Sequence, residues 1–132
     1  MAFPVDEQYI TETEKQLGLR FPLKFKDKMK IENGGEIEAV DGSWTIHPFF
    51  DKSDMKRIKR TTNNIIHETK ESREWDNFPS TGIAIGDNGS GDKLILLPTD
   101  NDPTQLSDKI YFWSHETGEV TEIADDINGL IE

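Results

Sequence analysis

The densest apolar pattern in the chain lies between Thr81 and Leu97. Gly82-Ile83-Ala84-Ile85 and Leu94-Ile95-Leu96-Leu97 are two runs of strand length. Between them lies Gly86-Asp87-Asn88-Gly89-Ser90-Gly91-Asp92, whose glycine, aspartate, asparagine and serine content is turn chemistry. The two runs are expected to pair as a hairpin at the centre of a sheet, with the rest of the molecule packed around it. The loop between them is the first place to look for function.

The flanking patterns switch between helical and strand periods. Ile10 and Leu17 share a helix face behind a capping Asp6, and Gly18 supplies the stop. Pro22 suits the first turn of a second helix. Phe25 and Met29 form its buried side, and Lys24, Lys26, Lys28 and Lys30 its basic outer surface. Asn33-Gly34-Gly35 ends that helix with a tight reversal. Alternation then begins: Ile37 and Ala39, followed by Trp44 and Ile46, predict two strands around a turn at Asp41-Gly42-Ser43.

Ser53 or Asp51 is expected to cap a third helix carrying Met55, Ile58, Ile65 and Ile66. Its centre, Thr61-Thr62-Asn63-Asn64, is weak helix sequence that allows a kink or break. The charged stretch from Glu68 to Asp76 predicts exposure, and Trp75 within it is the tryptophan most expected to be partly exposed. Thr99 to Asp108 reads as a surface loop or mobile tip. Lys109 to Ser114 is an aromatic strand with Tyr111 and Trp113 on one face and Phe112 on the other. Thr117-Gly118 suits a turn and Val120 to Ile123 a short strand. Asp125 then caps a last helix burying Ile127, Leu130 and Ile131. Strands in succession with helices at both ends predict an α+β fold, one domain over residues 1–132, on a largely antiparallel sheet.

Composition narrows the function classes. The chain has 132 residues, 33% hydrophobic, enough for one core. No apolar run approaches the roughly 20 residues of a membrane span, and Met1 to Glu7 lacks the pattern of a signal peptide. The absence of cysteine removes disulfides, thiolate metal sites and cysteine nucleophiles. A cytoplasmic location is the simplest expectation.

The net charge of −11 is unevenly placed. Residues 1–66 carry 11 Lys/Arg and 11 Asp/Glu, whereas residues 67–132 carry 4 against 15. Such a surface repels nucleic acid and attracts a basic partner; it equally serves solubility. The asymmetry favours the partner.

Candidate chemistry adds little. Counting from Asp87, the hairpin loop has Gly at position three and Asp at position six, so it fails the EF-hand pattern. Asp92-Lys93 followed by a strand is not a phosphate-binding loop. His47, His67 and His115 show no metalloprotease spacing, and Gly89-Ser90-Gly91 is not a nucleophile elbow. No enzyme, metal or cofactor is expected. Tyr111 and Trp113 belong to the core, or, if their face is exposed, form an interface anchor.

The order of these features resembles one family. Ile10-x-x-x-Glu14-x-x-Leu17-Gly18-x-x-Phe21-Pro22-x-x-Phe25-Lys26 with Asn33-Gly34-Gly35 is similar to the opening signature of the SUKH superfamily. Ile83-Ala84-Ile85-Gly86-Asp87 through Leu94-x-Leu96 is similar to its second block, and Ile110 to Trp113 with Ile123 to Ile131 to its third. Phe-Pro stands at 21–22 where Leu-Pro is usual, and Lys52 to Asp76 aligns to nothing in the pattern.

The resemblance implies one α+β domain with helices against a mixed sheet, and a protein-binding role without a catalytic set. The family includes fungal cell-wall synthesis regulators and bacterial immunity proteins that neutralise polymorphic toxins, often nucleases. An immunity protein occluding the basic active-site surface of a toxin, without binding nucleic acid itself, is therefore the expected function. A regulatory scaffold is the alternative. The candidate contacts are Asp87, Asp92, Asp100, Asp102, Asp108, Tyr111, Trp113 and Glu116.

Overall fold

The computed structural model describes residues 3–39 and 42–131. Met1, Ala2, Val40, Glu132, Asp41 of the expected turn, and the side chains of Ala39 and Ile131 lie outside the described residues. Helix α1 (Glu7–Leu17) ends at Gly18, whose φ of 71° lets its N–H turn back to the Glu14 carbonyl. Pro22 precedes helix α2 (Leu23–Ile31) as its N-cap and does not enter it. Strands β1 (Gly35–Ala39) and β2 (Gly42–Ile46) follow the glycine pair.

The third helix is in fact two, α3 (Met55–Arg60) and α4 (Ile65–Ser72), broken where Thr61 to Asn64 gave weak helix sequence. Asp54 caps α3 by accepting from the Arg57 N–H, in place of Ser53 or Asp51. Asn64 caps α4 in the same way at the His67 N–H. Strands β3 (Ile83–Asp87), β4 (Lys93–Leu96), β5 (Ile110–Trp113) and β6 (Val120–Ala124) complete the sheet. The closing helix α5 (Asn128–Ile131) is a single turn, entered through Asp126, not Asp125, at the Gly129 N–H.

The sheet order is β1-β2-β3-β4-β5-β6. Every strand pairing is antiparallel, and the one parallel contact among the described residues is an isolated bridge between Arg20 and Gln105. The apolar runs do form the two central strands. Ile83, Ile85, Leu94, Leu96, Ile110 and Trp44 join Ile10 from α1, Phe25 and Met29 from α2, and Phe21 from the connector between them in the main core. The alternate residues Ala84, Ile95 and Trp113 pack with Phe78 in a smaller core, as the twofold period of a strand requires.

Two expected surfaces are revised. Lys28 is tucked inward, its side chain 7% exposed, and its ammonium donates to the carbonyls of Glu32 and Gly34. Lys24, Lys26 and Lys30 pair with Asp126, Glu14 and Glu7, so α2 presents no free basic face. The loop from 99 to 108 is fastened, with Leu106 buried, the Asp102 carboxylate bound to Arg20 and Thr104, and backbone bonds to Arg20 and Leu97. No helix among the described residues is long and apolar enough to cross a membrane.

Candidate functional site

Two places concentrate polar chemistry, one where the β2–β3 ladder is short and one at the β5–β6 turn. β2 pairs with β3 only through Thr45–Asp87 and Ile46–Gly86. Beyond that point helix α4 replaces the missing strand. The Ala84 N–H donates to the Thr69 hydroxyl at 2.9 Å, and the His47 N–H donates to the Ile85 carbonyl. The stretch read as exposed is therefore anchored: Thr69 and Ser72 are buried.

This arrangement brings together three residues distant in sequence. His47 follows β2, Glu68 precedes Thr69 on α4, and Asp87 ends β3. His47 Nε2 lies 3.5 Å from Asp87 Oδ2 and 3.9 Å from Glu68 Oε1. The Lys93 ammonium stands 3.5 Å from Glu68 and 3.9 Å from Asp87. His47 is 3% exposed, and its Nε2 has no hydrogen-bond partner. Burial pushes its pKa down to about 4, against the pull of Asp87 and with the help of Lys93 and His67. At neutral pH the imidazole is uncharged. A buried polar atom left unpaired costs about 1–3 kcal/mol. The three residues line a cavity of about 430 Å³ that also holds Asn63, Arg57 and Arg60.

The second place is a corner at the turn between β5 and β6. Gly118, with φ of 76°, lies where a Cβ would come within 2.8 Å of Asn77. The segment after α4 thus packs directly on this turn, and Asn77 and Trp113 fasten it. Asn77 donates to the His115 carbonyl, and Trp113 Nε1 donates to the Asn77 carbonyl at 3.1 Å. Trp75 meets Trp113 and His115 edge to face, at centroid distances of 6.1 and 5.9 Å.

Trp75 remains 50% exposed. Its neighbours in the chain, Glu74 and Asp76, are exposed, as is Glu116 across the turn. Asp92 accepts from His115 at its backbone N–H and contacts the ring Nδ1 at 2.7 Å. Burial alone would raise the Asp92 pKa, yet the bonds from His115 and Asn88 hold it below the ordinary carboxylate value.

The candidate contacts do not gather into one face. In an antiparallel meander successive connections alternate between the two ends of the sheet. Asp87, Asp92 and Glu116 belong to the end carrying the β3–β4 and β5–β6 turns. Asp100, Asp102 and Asp108 belong to the β4–β5 connection at the opposite end. Asp87 is drawn toward His47 and Lys93, and Asp102 is committed to Arg20.

Trp113 is fully buried and Tyr111 half-buried against the smaller core, so Trp113 is no surface anchor. Its aromatic neighbour Trp75 is the half-exposed ring of this corner. Sequence reading marked Trp75 as exposed but could not place it beside His115, because that contact spans forty residues. The His47, Glu68 and Asp87 cluster gave no spacing signal, since each residue comes from a different element.

The two opening helices and the Gly34-Gly35 reversal span the residues of the opening signature, and the sheet that follows is antiparallel at every strand pair where a mixed sheet was implied. No curated protein matches the chain. The model of the SMI1 / KNR4 family (SUKH-1) matches residues 4–132, and the chain belongs to that family.

Proposed function

We propose that this protein is an immunity protein of the cytoplasm that binds a cognate toxin, a nuclease domain with a basic active-site surface, and blocks it without chemistry of its own. The observation that carries this reading is the family match across nearly the whole chain, since the family includes toxin immunity proteins. The charge distribution supports it. The excess of −11 falls in residues 67–132, where Glu74, Asp76, Glu116 and Glu119 make no ion pair among the described residues. A nuclease surface built for phosphates meets such carboxylates favourably, and steering raises the association rate.

Charge alone does not hold a complex; a desolvated aromatic anchor does. Trp75 meets that need better than Tyr111 or Trp113. It is a large half-exposed ring, braced from behind by Trp113 and His115, with exposed Glu74 and Asp76 beside it in the chain and exposed Glu116 next to His115. Asp100, Asp102 and Asp108 lie at the opposite end of the sheet, with Asp102 paired to Arg20, and contribute to long-range steering and not to contact at this corner.

Co-expression tests the reading. The toxin-like protein encoded in the adjacent reading frame is expressed through its C-terminal domain, with and without this chain. Growth is expected to be rescued by the wild type and lost again with Trp75→Ala. An absence of rescue by the wild type contradicts the immunity role, and an adjacent frame with no toxin favours the regulatory alternative.

A further inference from the structure

The orphaned Nε2 of His47 and the two carboxylates facing it are independent of the acidic corner. We propose that His47, Glu68 and Asp87 bind one divalent transition-metal ion, zinc by preference, which ties β2, α4 and β3 together where the sheet ladder lapses. Their ligand atoms all lie within 4.8 Å of one another. Tetrahedral zinc with bonds of about 2.0–2.1 Å sets its ligand atoms roughly 3.4 Å apart. The His47–Asp87 separation of 3.5 Å and the His47–Glu68 separation of 3.9 Å are close to that spacing, and the carboxylates, within 4.8 Å of each other, must rotate inward to complete it.

The donor set selects the metal. One imidazole with two carboxylates suits zinc or a similar ion; calcium and magnesium favour all-oxygen shells, and no thiolate is present. His47 Nε2 is aimed at the carboxylates and bonds to nothing else. Because the three residues line one cavity, water has room for the fourth position. Lys93 is the competing cation. Its ammonium holds the same two oxygens loosely, at 3.5 and 3.9 Å, and must withdraw when the metal enters. His67 stands outside the set: its Nε2 lies 4.0 Å from the other Glu68 oxygen and 3.4 Å from Glu71.

The full chain, stripped with EDTA and titrated with zinc sulfate, tests the site by calorimetry and thermal unfolding. One zinc per chain is expected, and Tm should rise by roughly 5–10 °C when zinc exceeds Kd about 100-fold. Asp87→Asn and His47→Leu should each weaken binding by more than the roughly 10–100-fold that loss of an outer-shell partner costs. His47→Leu replaces an orphaned polar atom with an apolar one, so its fold should persist. Asp87→Asn carries the test if it does not. Lys93→Gln should tighten binding about tenfold by removing the competing charge. Zinc binding lost with His67→Asn, unchanged in both ligand variants, or absent from the wild type would overturn the site and leave a bridging water as the partner of Nε2.

Discussion

At the scale of single residues, the molecule relies on polar side chains that replace missing backbone partners. Asn33 is buried; its amide donates to the Phe49 carbonyl at 2.9 Å, and its oxygen accepts from the Phe49 N–H at 2.8 Å. Asn33→Ala strands both backbone groups, and an unfolding titration should show a loss of about 2–3 kcal/mol. Asp92 makes a pH-dependent contribution. Its pKa is lower in the fold than the ordinary value of about 3.8, so the unfolded chain binds the proton more readily. The stabilisation is thus complete well above that value and lost as pH falls through the lower, folded pKa. Asp92→Asn should lower Tm at pH 6, with a gap from wild type that closes as the pH falls toward 3. A gap constant over that range would contradict the assignment. None of these partnerships was legible in the sequence, because Asn33, Asp92 and Lys28 look like ordinary turn and surface residues. Their partners lie elsewhere in the chain or in the backbone.

At the scale of elements, local signals placed most of the helices and strands. The apolar runs found β3 and β4, alternation found β1 and β2, and Gly18 found the end of α1. What failed was local in a different way. Asp51, Ser53 and Asp54 are all competent caps, and only the backbone path chose Asp54. Asn64, read as part of a weak stretch, begins a new helix. The charge of Glu68 to Asp76 concealed Thr69 and Ser72, which face the sheet because α4 stands in for a strand.

Glycines test how elements meet. Gly18 and Gly118 have similar φ, 71° and 76°, but a Cβ on Gly18 meets nothing while one on Gly118 strikes Asn77 at 2.8 Å. Gly18→Ala should cost about 1 kcal/mol, from backbone conformation alone. Gly118→Ala should cost about 2 kcal/mol or more and shift the Trp75 fluorescence, because the segment carrying Trp75 must move.

At the scale of the whole molecule, the packed body and the polar clusters occupy different parts of the sheet. Its main core and opening helices make the stable body that the family signature describes. The acidic corner around Trp75 lies at the β5–β6 turn, and the His47 cluster lies where α4 meets β2 and β3. The charge asymmetry was plain in the sequence, but its placement was not. Composition cannot tell that Asp100, Asp102 and Asp108 sit at the opposite end from Asp92 and Glu116. Nor can it tell that Trp113 is core while Trp75 is half exposed.

The central claim is that the acidic corner docks a basic toxin domain. The most direct measurement is the association rate with the C-terminal domain of whatever toxin-like protein the adjacent reading frame encodes, followed as sodium chloride rises from 50 to 500 mM, for wild type and Trp75→Ala. The rate should fall by about tenfold or more with salt for both. The variant should dissociate at least about 30-fold faster, as loss of an interface anchor does. A rate indifferent to salt, together with an unchanged dissociation rate for Trp75→Ala, would contradict the claim.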